Sequence, residues 1–452
     1  MGDVEAVDDT SALLPHKRGE GCADGALRYV ETQEIANLRL WWGLCYSNAM
    51  GVCGIVLVAL GSTLSSLAAD CGTTATRVGT VFIARGIGAI TGALSSARLY
   101  SPPRPGNLVM VFVLLALASV LLYMPFIHDV WILHLCWFLL GMCTATLDTG
   151  CQIMTRKVHG IHAGPWLGAN TVCFAIAGAL VPLIELITGE LFAQYATLAT
   201  IAVLNAAALY ASRHPESPEI RDQLPPRVTI AARQGKTPTL APEKTAGKYH
   251  LELIFGATVF WLIGGKVDTT SYIVTYVKST GVIQNSDASI SLLLLWIMIT
   301  IGRLVGLQDQ INLKKQGKRE VYLHLTAWLF TGTFGMLLAA LFPTRSWAFW
   351  VGVSLYGLGN GPCVGYVYDL VNRMTVHSEM GMSIVMFGLN FGASLVPYLT
   401  TVAWDYTSAG PETLVWVTLL SMFIPMPLLF LSASVGNLFE PPAETRPKSL
   451  MT

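Results

Sequence analysis

Charge is what this sequence lacks. Only 12% of its 452 residues are Asp, Glu, Lys or Arg, about half the share of an ordinary soluble chain. Hydrophobic residues make up 53%, and the mean hydropathy is +0.54. That balance excludes a soluble globular protein and implies a polytopic membrane protein, to which soluble domain-length rules do not apply. The formal net charge is zero and no basic block occurs, so no nucleic-acid partner is expected. There is no CxxC pair, which leaves neither a zinc site nor a disulfide framework indicated. Cys45, Cys53, Cys136, Cys143, Cys151 and Cys173 lie within apolar runs, and only Cys71 reads as a loop residue. No metal-ligand cluster, nucleophile–base pattern or phosphate loop points to an enzyme, and no cofactor is expected. The first 37 residues contain no apolar core of a signal peptide, so the first span itself is expected to direct insertion.

What is present is a series of long apolar runs. A spanning helix needs about 20 mainly apolar residues. Twelve segments qualify: 40–61, 76–97, 107–126, 131–152, 164–187, 191–211, 251–277, 288–308, 321–341, 347–371, 380–402 and 413–433. The reading is an all-α membrane protein with tails at 1–37 and 435–452, helical halves at 38–212 and 250–434, and a linker at 213–249 rich in Pro and charge. Such a linker cannot bury a core. If the N-terminus is cytoplasmic, short inner loops hold Arg98, Arg104, Arg156, Lys157, Lys314, Lys315, Lys318, Arg319 and Arg373. The outer loops then hold Lys278 and Arg345, with Arg77 at a boundary. The excess of cations places both termini and the linker in the cytoplasm.

The two halves carry matching landmarks. Gly88-x-x-x-Gly92 in span 2 corresponds to Gly302-x-x-x-Gly306 in span 8, and Leu140-Gly141 in span 4 to Tyr356-Gly357 in span 10. The segment 177-AGALVP-182 of span 5 corresponds to 392-GASLVP-397 of span 11. Small residues are common wherever membrane helices touch, but that does not explain one shared offset. Two six-helix halves repeated in the same orientation resemble the major facilitator fold. Pro182 and Pro397 favour bends within their spans.

Ionisable groups inside spans are costly and default to functional hypotheses. Asp148, in 146-TLDTGCQIM-154, is a candidate for solute binding or for carrying a coupling proton or sodium ion; the alternative is an ion pair with Arg85 of span 2. Lys266 and Asp268 sit in 264-GGKVDTTSYIVTYV-277, on different sides of span 7. With Tyr272 and Tyr276 they are candidate contacts for a polyhydroxylated ligand, against a reading in which the hydroxyls join helices. Asn170 and Asn390 are weighed between solute contact and packing. Arg303 and Asp369 form a candidate gate pair, against simple snorkelling of a boundary arginine. Glu185 reads as an outer-rim residue.

Several stretches resemble a known family. They are 60-LGSTLSSLAADCGTTATRVGTVFIARGIGAITGAL-94, 141-GMCTATLDTGCQ-152, 164-GPWLGAN-170 and 296-WIMITIGRLVG-306. They are similar to the fucose-permease-like branch of the major facilitator superfamily, nearest to its sodium-dependent glucose transporter-like members. The resemblance covers most of both halves. It implies a twelve-helix fold of two pseudo-symmetric six-helix halves that carries a sugar, with Asp148 at the acidic position of span 4. Arg85 and Gly86 fall on the arginine–glycine of span 2, and Gly302 and Arg303 on the motif of span 8. The chain departs from the branch in four places. Cys151 and Gln152 follow the acid motif, the acid expected in span 1 is missing from 50-MGVCGIVLVALG-61, the loop 97-ARLYSPPRPG-106 has no Asp, and Lys266 is an unexpected cation. Lys266 could stand in for a coupling ion, or bind a small anionic metabolite.

The tail segment 9-DTSALLP-15 fits an acidic dileucine signal through Asp9, Leu13 and Leu14, which would engage a clathrin adaptor. The expected location is the plasma membrane or an endosomal or lysosomal membrane. The expected partners are a small polar solute, a proton or sodium ion, and the lipid bilayer. Secondary transport of a small polar solute, a sugar foremost, is the leading reading. A non-transporting receptor or scaffold of the same fold is the alternative.

Overall fold

A computed structural model of the chain describes residues 33–74, 77–100, 105–159, 163–212, 215, 249–313, 317–374 and 379–436. The described residues form helices and their turns. In chain order these are α1 (Gln33–Asp70), α2 (Val81–Leu99), α3 (Gly106–Tyr123), α4 (Val130–His159), α5 (Ala163–Thr188) and α6 (Leu191–Ala211), followed by α7 (His250–Thr280), α8 (Ala288–Leu313), α9 (Lys318–Leu341), α10 (Ser346–Met374), α11 (Glu379–Tyr406), α12 (Thr413–Phe423) and α13 (Pro425–Val435). Each of the twelve expected spans is represented. Their ends run further than the apolar runs, most of all in α1, because polar residues such as Gln33 and Asn37 continue a helix beyond the hydrocarbon at no cost.

Eleven of the segments are long and apolar enough to cross a bilayer, with α12 and α13 together forming one of them. The twelfth, α10, is 29 residues long but is diluted by Gly352, Gly357, Gly359, Asn360 and Gly361. The last span is broken. Pro425 has no N–H to return to the Ser421 carbonyl, so the helix stops at Phe423 and restarts. With twelve crossings, α1 begins and α13 ends on the same side, called here the termini side; the opposite side is the far side.

The helices pair by the same scheme in two sets. In the first set α1 packs on α5, α2 on α4, and α3 on α6 and α4; in the second α7 packs on α11, α8 on α10, and α9 on α12 and, most extensively, on α10. The sets join through α1 on α7, α2 on α11, and α5 on α8. Exchanging the sets maps α2–α11 onto α8–α5 and returns α1–α7 to itself, as a two-fold axis demands. Exposed Phe112, Leu204, Phe330 and Phe430 cover α3, α6, α9 and α13. In a bilayer such faces meet lipid.

The glycine landmarks make the tightest pairings. Any side chain on Gly88 or Gly92 would meet the carbonyl of Phe138 or Met142 in α4, and one on Gly141 would meet the carbonyl of Arg85. The second set repeats this: Gly302 faces the Leu358 carbonyl, Gly306 faces Pro362, and a Cβ on Gly357 would lie 2.8 Å from the Leu295 carbonyl oxygen. Here backbone opposes backbone, so neither side can yield by turning a rotamer. Gly88→Val should therefore destabilise the fold by about 1–3 kcal/mol, a cost typical of overpacking. Gly317→Ala, where no atom lies within 4 Å of the added Cβ and the only change is at the N-cap of α9, should cost about 1 kcal/mol or less. Thermal unfolding of the detergent-solubilised protein compares the two.

Candidate functional site

The seam between the two sets collects the polar residues. On α4, Thr144, Asp148 and Gln152 follow one another at one-turn spacing and therefore share a face. The Gln152 Nε2 donates to Asp148 Oδ1 at 3.1 Å. The Cys53 thiol of α1 donates to the Thr144 carbonyl at 3.6 Å and feels the charges of both Asp148 and Arg85. Asp148 is half-buried and makes no ion pair with Arg85. The Arg85 Nε is itself buried without a hydrogen-bond partner. From the opposite set, Tyr368 of α10 lies within electrostatic reach of Asp148. Its hydroxyl donates to Met386 Sδ at 3.5 Å, and Asn390 Nδ2 donates to the Met386 carbonyl at 3.0 Å. Asp148 thus lies within electrostatic reach of α10 across the seam.

A second group lies between α5, α7 and α8. The Nζ of Lys266 and the guanidinium of Arg303 stand 5.9 and 5.3 Å from the centre of the Phe174 ring. Two cations from the second set therefore converge on one aromatic ring of the first, an attraction worth about 0.5–2 kcal/mol each. Arg303 also donates to the Thr171 carbonyl. Phe174 in turn packs on Trp296, with ring centres 6.1 Å apart. Lys266 is only 4% exposed and forms neither a hydrogen bond nor an ion pair.

The other expected residues of span 7 face elsewhere. Asp268 is fully buried within the second set, and neither carboxylate oxygen has a hydrogen-bond partner. The Tyr272 hydroxyl meets Thr401 at 2.5 Å, and its ring packs on Phe82 at 5.6 Å and Trp404 at 6.2 Å. Gly79 and Gly61 press on Thr401 and on the Thr270 backbone. Together these contacts seal the far side across α1, α2, α7 and α11. Tyr276 stacks on Phe349 beside a cavity of about 20 Å³ lined also by Thr269, Ile273, Met336 and Thr418. That space admits roughly one water molecule and no sugar.

Asn170 is held inside the first set. It accepts from the Ser47 hydroxyl at 2.7 Å and donates to Thr155 at 3.3 Å. Arg303 and Asp369 do not meet in this state, because Asp369 pairs with Arg373 at 2.9 Å on its own helix. Glu185 lies near the far end of α5, with one carboxylate oxygen buried and unpartnered. Asp9, Leu13 and Leu14 lie outside the described residues. Sequence reasoning missed Tyr368, Phe174 and Trp296. A signal existed for Tyr368, since it stands at the repeat offset from Gln152.

Tyr272→Phe keeps both ring contacts and deletes the bond to Thr401. That bond lies within the second set and fixes Thr401, on which Gly79 of the first set rests, so losing it should loosen the far-side seal by up to about 1 kcal/mol. The spin–spin distance between labels on native Cys71 and on Glu412→Cys, both near the far side, should then broaden toward longer values. An unchanged distribution would mean that the hydroxyl does not hold the seal.

No curated protein matches this sequence significantly. Solved structures share its fold. The xylose transporter XylE from E. coli, in a partially occluded inward-open conformation, superposes with a TM-score of 0.61 at 11% identity, covering 89% of this chain and 100% of that one. XylE described as a proton:xylose symporter bound to 6-bromo-6-deoxy-D-glucose gives 0.62 at 13% identity, covering 90% and 96%. A point mutant of the nucleoside transporter NupG gives 0.62 at 16% identity, covering 89% and 100%. The family model described as Major Facilitator Superfamily matches residues 46–397. With twelve spans in two sets paired alike, this chain belongs to the Major Facilitator Superfamily.

Proposed function

We propose that the protein is a secondary transporter that carries a small polar solute, foremost a sugar, by alternating access between the two helical sets. One observation carries this reading: polar and aromatic groups of the two sets face each other at two places along their interface, Asp148 with Tyr368 and Phe174 with Lys266 and Arg303. Asp148 with Gln152 offers a hydroxyl acceptor, Lys266 and Arg303 offer donors, and Phe174 and Trp296 offer ring surfaces. A polyhydroxylated ring needs these three kinds of contact at once. The xylose symporter and the nucleoside transporter that share its fold support the solute class. The fucose-permease-like, sodium-dependent glucose transporter-like branch is our finer placement, on the motifs around Arg85, Asp148 and Gly302.

In this reading Asp148 binds solute hydroxyls and is a candidate coupling acid for a proton or sodium ion. Arg303 leaves the Thr171 carbonyl for Asp369 when the termini side closes. The halves are 38–212 and 250–434, joined by the 213–249 linker, and both termini are cytoplasmic. Asp9, Leu13 and Leu14 recruit a clathrin adaptor and route the protein toward endosomal or lysosomal membranes.

Reconstitution into liposomes tests the transport reading. Labelled sugars should accumulate under a proton or a sodium gradient. Asp148→Asn should lose gradient-driven accumulation and keep solute exchange. No flux of any sugar or nucleoside under either gradient would overturn the proposal. Native Cys71 tests the orientation. Its thiol contacts the Ile127 carbonyl, and burial, with Asp70 and Asp129 nearby, pushes its pKa up. A membrane-impermeant maleimide should label it from outside the cell, faster as pH rises because the thiolate is the reactive form. Labelling only after permeabilisation would reverse the topology.

A further inference from the structure

We propose that Asp268 is a proton-binding site, separate from the solute seam and gated by the far-side seal of Tyr272 and Thr401. The inference rests on the transport reading above and adds to it a site at which a proton would load.

Asp268 is 0% exposed, and both of its carboxylate oxygens lack a hydrogen-bond partner. An ionised carboxylate in that position is prohibitively costly unless something compensates its charge. An ion pair does not: Lys266, two residues earlier, faces Phe174, and Asp268 forms no ion pair. A metal does not: among the described residues no group of three or more His, Cys, Asp or Glu could hold one. A proton on the carboxyl removes the charge and makes it a hydrogen-bond donor. Acceptors stand ready. The fully buried Thr400 hydroxyl lies within hydrogen-bonding reach of Asp268, and the Tyr356 hydroxyl, which adjoins Thr269 and Ser421, lies within electrostatic reach of it.

The groups that could compete for this role are few. On α7 itself the facing titratable group is Tyr272. From α10 come Tyr356 and, behind it, Cys363. From α11, Asp405 reaches only Tyr272. On α8 the charged residues are Arg303, which faces Phe174, and Asp309, which bonds Tyr366. The α1 helix carries no charged residue between Arg39 and Asp70, and α12 and α13 carry none at all.

The position also supplies a gate. Tyr272 is one turn beyond Asp268 on α7, and Thr401 directly follows Thr400 on α11. The acid and the seal are therefore successive rungs between the same two helices. Phe82 of α2 and Gly79, in the turn just before α2, cover the outer rung. When α2 withdraws, Tyr272 and Thr401 face the far solution and Asp268 lies one turn beneath. A proton then passes from far-side water to the carboxylate, and the resealed site keeps it as a neutral acid.

Infrared spectra of the purified full-length protein in lipid nanodiscs, without solute, test this directly. Near neutral pH the wild type should show the carbonyl stretch of a protonated carboxylic acid, and Asp268→Asn should lose it. Thr400→Val, which leaves the acid in place, should shift the band by removing an acceptor, and this covers the case in which Asp268→Asn does not fold. Absence of the band in the wild type, or its abolition by sodium ions at constant pH, would overturn the proposal. The readout needs no transported solute, so its failure is distinguishable from failure of the transport reading.

Discussion

Hydrocarbon does not solvate charge, and this constraint organises the molecule. Every ionisable side chain inside a span must find its compensation within the protein or in water that the protein admits. The chain keeps a few such groups and disposes of them differently. Asp369 takes Arg373 on its own helix. Lys266 and Arg303 take the face of Phe174 from the other set. Asp148 takes the Gln152 amide and stays half-buried at the seam. Asp268 takes nothing that is visible as a partner.

The glycine pairings make this arrangement mechanically coherent. Because α2–α4 and α8–α10 meet backbone to backbone, each set is stiff, and the freedom left is motion of one set against the other. The contacts that join the sets fall into two kinds. On the far side they are close and dry, through Gly61, Gly79, Phe82 and Tyr272. Nearer mid-depth they are polar and aromatic, through Phe174, Arg303, Asp148 and Tyr368. A seal above a polar seam is what alternating access requires in one of its end states.

Much of the fold was legible because membrane spans announce themselves by composition and because small residues at fixed spacing have one physical use. The shared offset of Gly88 and Gly302 read from the sequence as duplication, and the structure places both in equivalent helix crossings. Even α10, diluted by glycines, read from the sequence as an apolar run at 347–371 and carried a repeat landmark at Gly357. Two things were not legible. The break at Pro425 depends on which carbonyl goes unpaired. The partners of Asp148 come from the other set, and no local periodicity encodes how the two sets are placed across the seam. Thus Asp148 was recognised by its cost and by the motif around it, while Phe174 and Trp296 looked like ordinary apolar-run residues. Tyr272 and Tyr276 read as ligand contacts by chemistry, and the structure places one in the far-side seal and the other inside the second set.

The central claim is that the seam binds a polar solute through Asp148. Equilibrium binding of radiolabelled hexoses, pentoses and nucleosides to the purified protein measures it most directly. The account predicts saturable binding of at least one of them, weakened about tenfold or more by Asp148→Asn, the loss expected for a hydrogen bond to a charged group. Absence of binding, or equal affinity in the variant, would contradict it.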